Sequence, residues 1–374
     1  MLIGIDASRA TIARRTGTEL YSLRLIEALL SLDTPHRFRL YFNQPPARGL
    51  FVAADDRVEL RAIPFPRLWT HLRLGLEVMI RPPDVLFVPS HVLPLFTRPP
   101  AIVTVHDLGY LYFPQAHPPR QRRYLNWSTR HNARAARVVL ADSQATKADL
   151  AAHHDIPAGK IMVAYPGYEP DLAPVSDAQA IADVKRRYGI RGDYFLHVGT
   201  LQPRKNLARL VRAFANLLAT APRSDVQLVL AGKKGWLYGD LFRQVRRLEL
   251  EGCVIFSGYV DDADKATLLS GALAYVFPSL YEGFGFPALE AQACDTPLIC
   301  ANTSSLPEVA GDAALLIDPL NVDDLSAAMT RLLNDAALRA DLVARGRRNR
   351  QRFSWRACAE TVLQALKAIH TTKD

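Results

Sequence analysis

The amino-acid sequence predicts an α/β protein built as two doubly wound domains in tandem. Three observations carry this. Short apolar runs rich in Val, Ile and Leu recur along the chain without the alternation of a half-exposed strand. Such runs are expected of strands buried on both faces of a parallel sheet. Each run is followed by a turn and then by helical periodicity, the pattern of a doubly wound sheet. The pattern breaks once, at Tyr165-Pro166-Gly167-Tyr168-Glu169-Pro170-Asp171-Leu172-Ala173-Pro174, where three prolines and a glycine mark a linker.

Taken in order, the first strand is 2–5, followed by a loop and a helix through Leu20, Leu23, Ile26 and Leu29. Strands follow at 39–42, at 85–88 ending in Pro89-Ser90, at 101–105 ending in His106-Asp107, and at 138–141 ending in Asp142-Ser143. Beyond the linker the alternation resumes at 194–198, 226–231, 254–256, 273–277, 297–300 and 314–317, and three helical stretches close the chain. The boundaries are 1–168 for the first domain and 169–353 for the second, with a final helix over 354–374. Two such sheets in tandem leave a cleft, and ligands of open α/β sheets bind beyond the carboxyl ends of the strands. Polar residues just after each strand are therefore the candidates.

At 374 residues, 49% hydrophobic and 22% charged, the chain has the composition of a soluble globular protein of two domains. No apolar run approaches the ~20 residues that span a bilayer, and the amino-terminal residues lack the basic and apolar regions of a signal peptide. A cytoplasmic location is expected. The four cysteines form no Cys-x-x-Cys pair, which favours buried free thiols over disulfides or a zinc site. Residues 1–170 carry +7 of the net charge of +9. Arg120, Arg122, Arg123, Arg130, Arg134 and Arg137 punctuate a helical stretch that also holds Tyr124, Leu125 and Trp127, and 65–74 mixes bulky apolar and basic residues. Such segments suit peripheral contact with an anionic membrane; a solvated helix face packed partly on the core is the other reading. A nucleic-acid-binding protein is the alternative that the charge suggests, but no nucleic-acid motif is present.

The richest stretch is Pro278-Ser279-Leu280-Tyr281-Glu282-Gly283-Phe284-Gly285-Phe286-Pro287-Ala288-Leu289-Glu290-Ala291. It joins the 273–277 strand to a helix with Pro287 in its first turn. Gly283 and Gly285 let backbone approach a ligand, and free N–H groups at a helix start favour an anion. Glu282 and Glu290 flank these amides, and carboxylates accept strongly from sugar hydroxyls. Phosphate plus sugar suggests a nucleotide sugar; a plain connector with a dipole-complementing Glu is the bland alternative.

Other strand ends add to this. Arg204 and Lys205 stand at a helix start, where cations oppose the macrodipole. A bound diphosphate explains them better than structure does. Asn206 suits the N-cap of the following helix, whose apolar face is Leu207, Leu210, Val211, Phe214 and Leu218. His106 can hydrogen-bond a hydroxyl, relay a proton, or simply tie down the next loop. Thr16-Gly17-Thr18 after the first strand is either a phosphate-approach loop or a turn, and no Gly-x-Gly-x-x-Gly accompanies it, which weakens a dinucleotide reading. Gly232-Lys233-Lys234-Gly235 repeats the basic theme more weakly. Gly258-Tyr259-Val260 offers backbone to a base or makes a turn.

Val198-Gly199-Thr200-Leu201-Gln202-Pro203-Arg204-Lys205-Asn206-Leu207, then Phe277-Pro278-Ser279, then Glu282-Gly283-Phe284-Gly285 and Glu290, resemble family 4 of the retaining, GT-B-fold glycosyltransferases, in which two Rossmann-like domains face each other across a cleft. Two glutamates separated by seven residues are that family's hallmark. The resemblance spans the chain and is most specific over 194–310. Phe353-Ser354-Trp355 before the last helix is also similar, and implies that this helix crosses back to the first domain.

The resemblance implies roles. Glu290 would hold the ribose hydroxyls and Glu282 the donor sugar. Gly283, Phe284 and Gly285 would line the sugar and phosphate, with amides from Phe284 and Gly285. Arg204 and Lys205 would hold the diphosphate, Gly17 would approach it from the first domain, His106 would contact the donor sugar, and Val260 would lie near the base. Many members carry Arg where this chain has Thr200, which makes the contact of Arg204 less secure than that of Lys205.

The expected activity is hexosyl transfer from a nucleotide sugar to a glycan or lipid-linked saccharide. The donor expected from the Pro-Arg-Lys-Asn-Leu variant is GDP-mannose; UDP-glucose, UDP-N-acetylglucosamine and dTDP-rhamnose are the alternatives. No cofactor or metal is expected, because cations, loop amides and a helix start can neutralise the leaving group, and no Asp-x-Asp motif is present. Front-face attack and a covalent intermediate both remain open as routes to retention.

Overall fold

The computed structural model describes residues 1–12, 17–47, 49–51, 56–90, 92–116, 118–220, 225–233, 235 and 239–371. The chain divides into two compact units, Met1–Gly167 together with Phe353–Asp374, and Tyr168–Arg352.

The first unit holds a seven-stranded sheet in the order β3-β2-β1-β4-β5-β6-β7. Its strands are β1 (Leu2–Asp6), β2 (Arg37–Phe42), β3 (Val58–Ala62), β4 (Val85–Val88), β5 (Ala101–Val105), β6 (Val138–Ala141) and β7 (Ile161–Val163), and every pairing is parallel. β4 and β5 are buried at every residue, as a sheet covered on both faces requires. The helices are α1 (Gly17–Ser31), α2 (Gly75–Ile80), α3 (Gly109–Tyr112), α4 (Pro119–Ala135) and α5 (Gln144–His154). Ser143 caps α5, its hydroxyl accepting from the Thr146 N–H at 3.0 Å.

The second unit holds a six-stranded parallel sheet in the order β10-β9-β8-β11-β12-β13. Its strands are β8 (Tyr194–Val198), β9 (Gln227–Ala231), β10 (Val254–Gly258), β11 (Ala274–Phe277), β12 (Leu298–Ala301) and β13 (Leu315–Ile317). Its helices are α6 (Ala178–Arg187), α7 (Leu207–Thr220), α8 (Gly239–Arg247), α9 (Asp262–Ser270), α10 (Phe286–Ala293), α11 (Leu306–Ala310), α12 (Val322–Asn334) and α13 (Ala336–Asn349). The last helix, α14 (Trp355–Thr371), belongs to the first unit, where it packs on α1 and buries Trp355, Cys358, Val362, Leu366 and Ile369. Trp355 meets Tyr21 of α1 edge-on, ring centroids 5.8 Å apart.

Both units are thus doubly wound, Rossmann-like α/β domains, the class the sequence predicts. In each, strand order reverses next to the first strand, between β1 and β4 and between β8 and β11. These reversals are the switch points at which open α/β sheets hold ligands. Cys294, Cys300 and Cys358 are buried free thiols and Cys253 is a half-buried one.

Candidate active site

In the second unit the chain leaving β8 stays close to the chain leaving β9. The Gly199 N–H donates to the Ala231 carbonyl at 2.8 Å, Leu201 N–H to Lys233 O at 2.9 Å, and Gly235 N–H to Leu201 O at 3.1 Å. Gly232 makes this approach possible: its φ is +142°, and a Cβ there would stand 1.9 Å from the Gly199 carbonyl oxygen. The loop predicted as a second basic site is therefore the support on which the β8 loop rests. Its Lys234 lies outside the described residues.

A 3-10 turn, Pro203–Lys205, then presents the two cations. Asn206 follows at φ +59°. It holds the N-cap position of α7, its carbonyl accepting from the Arg209 and Leu210 N–H groups at 3.1 and 3.3 Å. Its side-chain amide has a second task, donating to the carbonyls of Pro278 at 3.1 Å and Pro319 at 2.6 Å. The Leu280 N–H donates to the Arg204 carbonyl at 2.9 Å. The loops after β8 and β11, on the two sides of the strand-order reversal, are fastened to one another.

Glu282 stands on the β11 loop. Lys205 Nζ donates to its Oε1 at 2.5 Å, and Arg204 Nη1 donates to its Oε2 at 3.1 Å and to the Tyr281 carbonyl at 2.8 Å. Glu282 and Lys205 are both buried. Burial alone would raise the Glu282 pKa, but the neighbouring Lys205 and Arg204 reverse this and hold the carboxyl below the usual glutamate range. Lys205 also lies over the Phe277 ring, 5.1 Å from its centroid.

Hydroxyls after β12 fix the backbone around Glu282. Its N–H donates to Ser304 Oγ at 2.9 Å, and the buried Ser305 hydroxyl donates to the carbonyls of Glu282 at 2.9 Å and Phe284 at 2.7 Å. Thr303 Oγ1 donates to the carbonyls of Ser279 and Leu280 at 3.3 and 3.4 Å. Gly283, Phe284 and Gly285 are buried. Gly285 precedes α10 with φ +109°, and a Cβ there would meet Leu306 Cδ2 at 2.7 Å.

Beneath this floor lies His197, fully buried in β8. Its Nδ1–H donates to the Val276 carbonyl at 2.9 Å, and its ring stacks on Tyr275 at 6.0 Å. Nε2 has no partner among the described residues. Burial, with a lesser contribution from Lys205, lowers its pKa to about 4, so the ring is neutral.

Glu290 lies within α10, buried, and Lys265 of α9 reaches it, Nζ to Oε1 at 2.5 Å. Val260, also buried, sits between β10 and α9. Tyr259 beside it is exposed under Lys233, whose Nζ is 5.1 Å from the ring centroid.

Gly17 and His106 belong to the first unit. Gly17 is the exposed first residue of α1; the neighbouring Thr16 lies outside the described residues. His106, after β5, donates Nδ1–H to Asp142 Oδ2 at 2.7 Å, and its Nε2 lies 3.3 Å from the Pro89 carbonyl. Burial alone would lower the His106 pKa; the Asp142 carboxylate reverses this and raises it above the ordinary imidazole value, and the ring when protonated donates to Pro89 as well. His106 is thus a tie between the ends of β4, β5 and β6.

Direct contact therefore joins Arg204, Lys205 and Glu282. Lys265, Ser304, Ser305 and Asp142 were not foreseen from sequence. Asp142 and the 303–305 hydroxyls follow strand ends, the positions that the switch-point rule singles out. Lys265 lies inside a helix and gives no such signal.

Comparison with known proteins follows the same division. Residues 15–172 match glycosyltransferase family 4, and residues 183–349 match glycosyl transferases group 1. O-antigen chain mannosyltransferase B of Escherichia coli is 35% identical over 269 residues, 72% of this chain and 70% of that protein. The serotype-specific mannosyltransferase WbdA of Escherichia coli is 30% identical over 63% of this chain, which spans only 29% of that longer protein. Among solved structures, sucrose-phosphate synthase from Thermosynechococcus elongatus shares the fold over the full length of both chains, with a TM-score of 0.78 at 22% identity. With the two family matches falling one on each sheet, and 35% identity held over more than two thirds of both chains, the protein belongs to glycosyltransferase family 4 and is a glycosyltransferase.

Proposed function

We propose that this glycosyltransferase moves mannose from GDP-mannose to a saccharide or lipid-linked saccharide, with retention and without a metal ion. The observation that carries the reading is the Lys205–Glu282–Arg204 cluster at the strand-order reversal of the second sheet. Two cations beside one buried carboxylate provide charge for a diphosphate and an acceptor for sugar hydroxyls within one loop pair. The names of the relatives, both mannosyltransferases, favour mannose and, in the first, a glycan acceptor.

In this reading Lys205 and Arg204 stabilise the negative charge that develops as the nucleoside diphosphate departs, a task for preorganised donors in a site of low dielectric. Both Glu282 oxygens already accept from cations, which suits a positioning role on the sugar better than nucleophilic attack. Front-face attack, with the leaving phosphate oxygen taking the acceptor's proton, fits that division. Glu290 takes the ribose, the amides of the 283–285 loop face the phosphate and sugar, and Val260 lies by the base.

A membrane-facing role for the first unit has its own support. Leu68, Leu72 and Phe96 are exposed, as are Tyr124 and Trp127 of α4, which shares its first two turns with Arg120, Arg122 and Arg123. Among the described residues no helix is long and apolar enough to cross a membrane. The surface suits peripheral contact with anionic lipid at the cytoplasmic face.

The test is thermal stabilisation by GDP, UDP, dTDP and their sugars, followed by hydrolysis and transfer of the donor that binds. GDP and GDP-mannose should raise Tm most. Stabilisation by UDP or dTDP species alone would replace the donor, and stabilisation by none would overturn the nucleotide-sugar reading.

A further inference from the structure

We infer that Lys265 is a positioning residue for the nucleotide's ribose, acting by fixing the carboxylate of Glu290. The inference rests on the reading above, in which Glu290 accepts from the ribose hydroxyls.

The two side chains come from different helices. Lys265 lies in α9 and Glu290 in α10, with Nζ 2.5 Å from Oε1. Side-chain exposure is 22% for the lysine and 9% for the glutamate, so the pair is largely withdrawn from water. A pair of this kind gives no dependable stability, because desolvation of both charges offsets their attraction. What it does provide is geometry. An ammonium on Oε1 sets the plane and rotamer of the carboxylate. The remaining lone pairs then point in fixed directions.

A ribose offers two neighbouring hydroxyl donors, O2′ and O3′. A carboxylate receives both well only when its plane is aligned with the diol. Without the ammonium the carboxylate would be free to rotate out of that alignment. The Lys265 ammonium keeps its charge at this depth: burial lowers its pKa, and the neighbouring Glu290 more than restores it.

The experiment compares binding of GDP with that of 2′,3′-dideoxy-GDP by calorimetry, or of UDP and its dideoxy analogue if UDP is the nucleotide that stabilises the protein. Proteins are the wild type, Glu290→Gln, Lys265→Met and Lys265→Arg. Hydrogen bonds to a charged acceptor imply a ribose preference of about tenfold or more in the wild type. Lys265→Met should bring the preference to within about threefold, while Lys265→Arg restores part of it. A merely structural lysine would lower Tm without moving the ratio of the two affinities. Lys265→Met with a wild-type ratio would overturn the inference while leaving the glycosyltransferase reading intact. A wild type without ribose preference, or Glu290→Gln that retains it, would remove the ribose assignment of Glu290 and this inference with it. Should Lys265→Met not fold, Lys265→Gln decides by the same ratio.

Discussion

Lys205 and Glu282 form a buried ion pair of 2.5 Å between loops that leave adjacent strands, β8 and β11. The pair is asymmetric in its dependence on each partner. Glu282 meets two cations of the cluster, Lys205 and Arg204, and so takes part in both of its ion pairs.

Removing the carboxylate should therefore cost more stability than removing the lysine. Glu282→Ala removes both ion pairs of the cluster at once, with an expected loss of about 3–5 kcal/mol. Lys205→Ala leaves Glu282 still paired with Arg204 and should unfold closer to the wild type. Turnover should show the reverse emphasis for lysine, with Lys205→Ala falling by about 10²-fold or more as developing phosphate charge goes unmet. Calorimetric Tm values and donor hydrolysis rates check both halves. Lys205→Ala with wild-type turnover would remove the diphosphate assignment.

The pH dependence has opposite signs at His197 and His106. His197 has a folded pKa of about 4 against an ordinary value of 6.5, so the unfolded chain binds the extra proton. Its contribution is present above 6.5 and is lost as pH falls towards 4, amounting to about 3 kcal/mol. Glu282 acts in the same direction further down, its depressed carboxyl losing stabilisation as pH falls below the ordinary 4.5. His106 has a raised folded pKa, so its contribution is full below 6.5 and is lost as pH rises through the raised value. Urea midpoints from pH 4 to pH 8 should fall less steeply on the acid side in His197→Phe than in the wild type. Equal slopes would show that His197 does not titrate as its burial implies.

Gly232→Ala should be among the most damaging single-methyl changes in the second unit. At φ +142° an L-residue is strained, and the methyl would fall 1.9 Å from the Gly199 oxygen. Backbone strain alone costs about 1–3 kcal/mol, and relief requires the 199–201 loop to move. Since that loop leads to Arg204 and Lys205, KM for the donor should rise together with the loss in Tm. A variant with lower Tm but unchanged KM would show that the loop's position does not govern donor binding.

The fold was legible because parallel strands buried on both faces leave an unmistakable apolar run, as at 101–105 and 273–277. Two strands escaped. Val58–Ala62 is an edge strand with Glu59 and Arg61 set among its apolar residues, and Ile161–Val163 has only three residues. Neither is long and apolar enough to be read as buried. At the site, Arg204, Lys205 and Glu282 were legible through cations misplaced at a helix start and glycines around a glutamate. Their partnership was not, since it depends on strand order, which places β8 beside β11 although 75 residues separate Val198 from Ala274. Lys265 was invisible for a related reason: a lysine inside a helix with Asp262 and Asp264 in its first turn looks like ordinary solvated charge. His106 shows the converse, a strand-end histidine whose polarity turns inward to Asp142 and Pro89.

The placement of α14 has a consequence for synthesis. The second unit is one continuous segment, complete once residue 352 has emerged, whereas the first cannot cover Tyr21 with Trp355 until residues 353–371 follow. On the ribosome the second unit is therefore expected to mature first, while the first unit, though begun earlier, waits with part of its apolar surface bare. Expressed alone, 1–167 should be prone to aggregation and should be rescued by a peptide of 353–371, and 168–352 should fold without help.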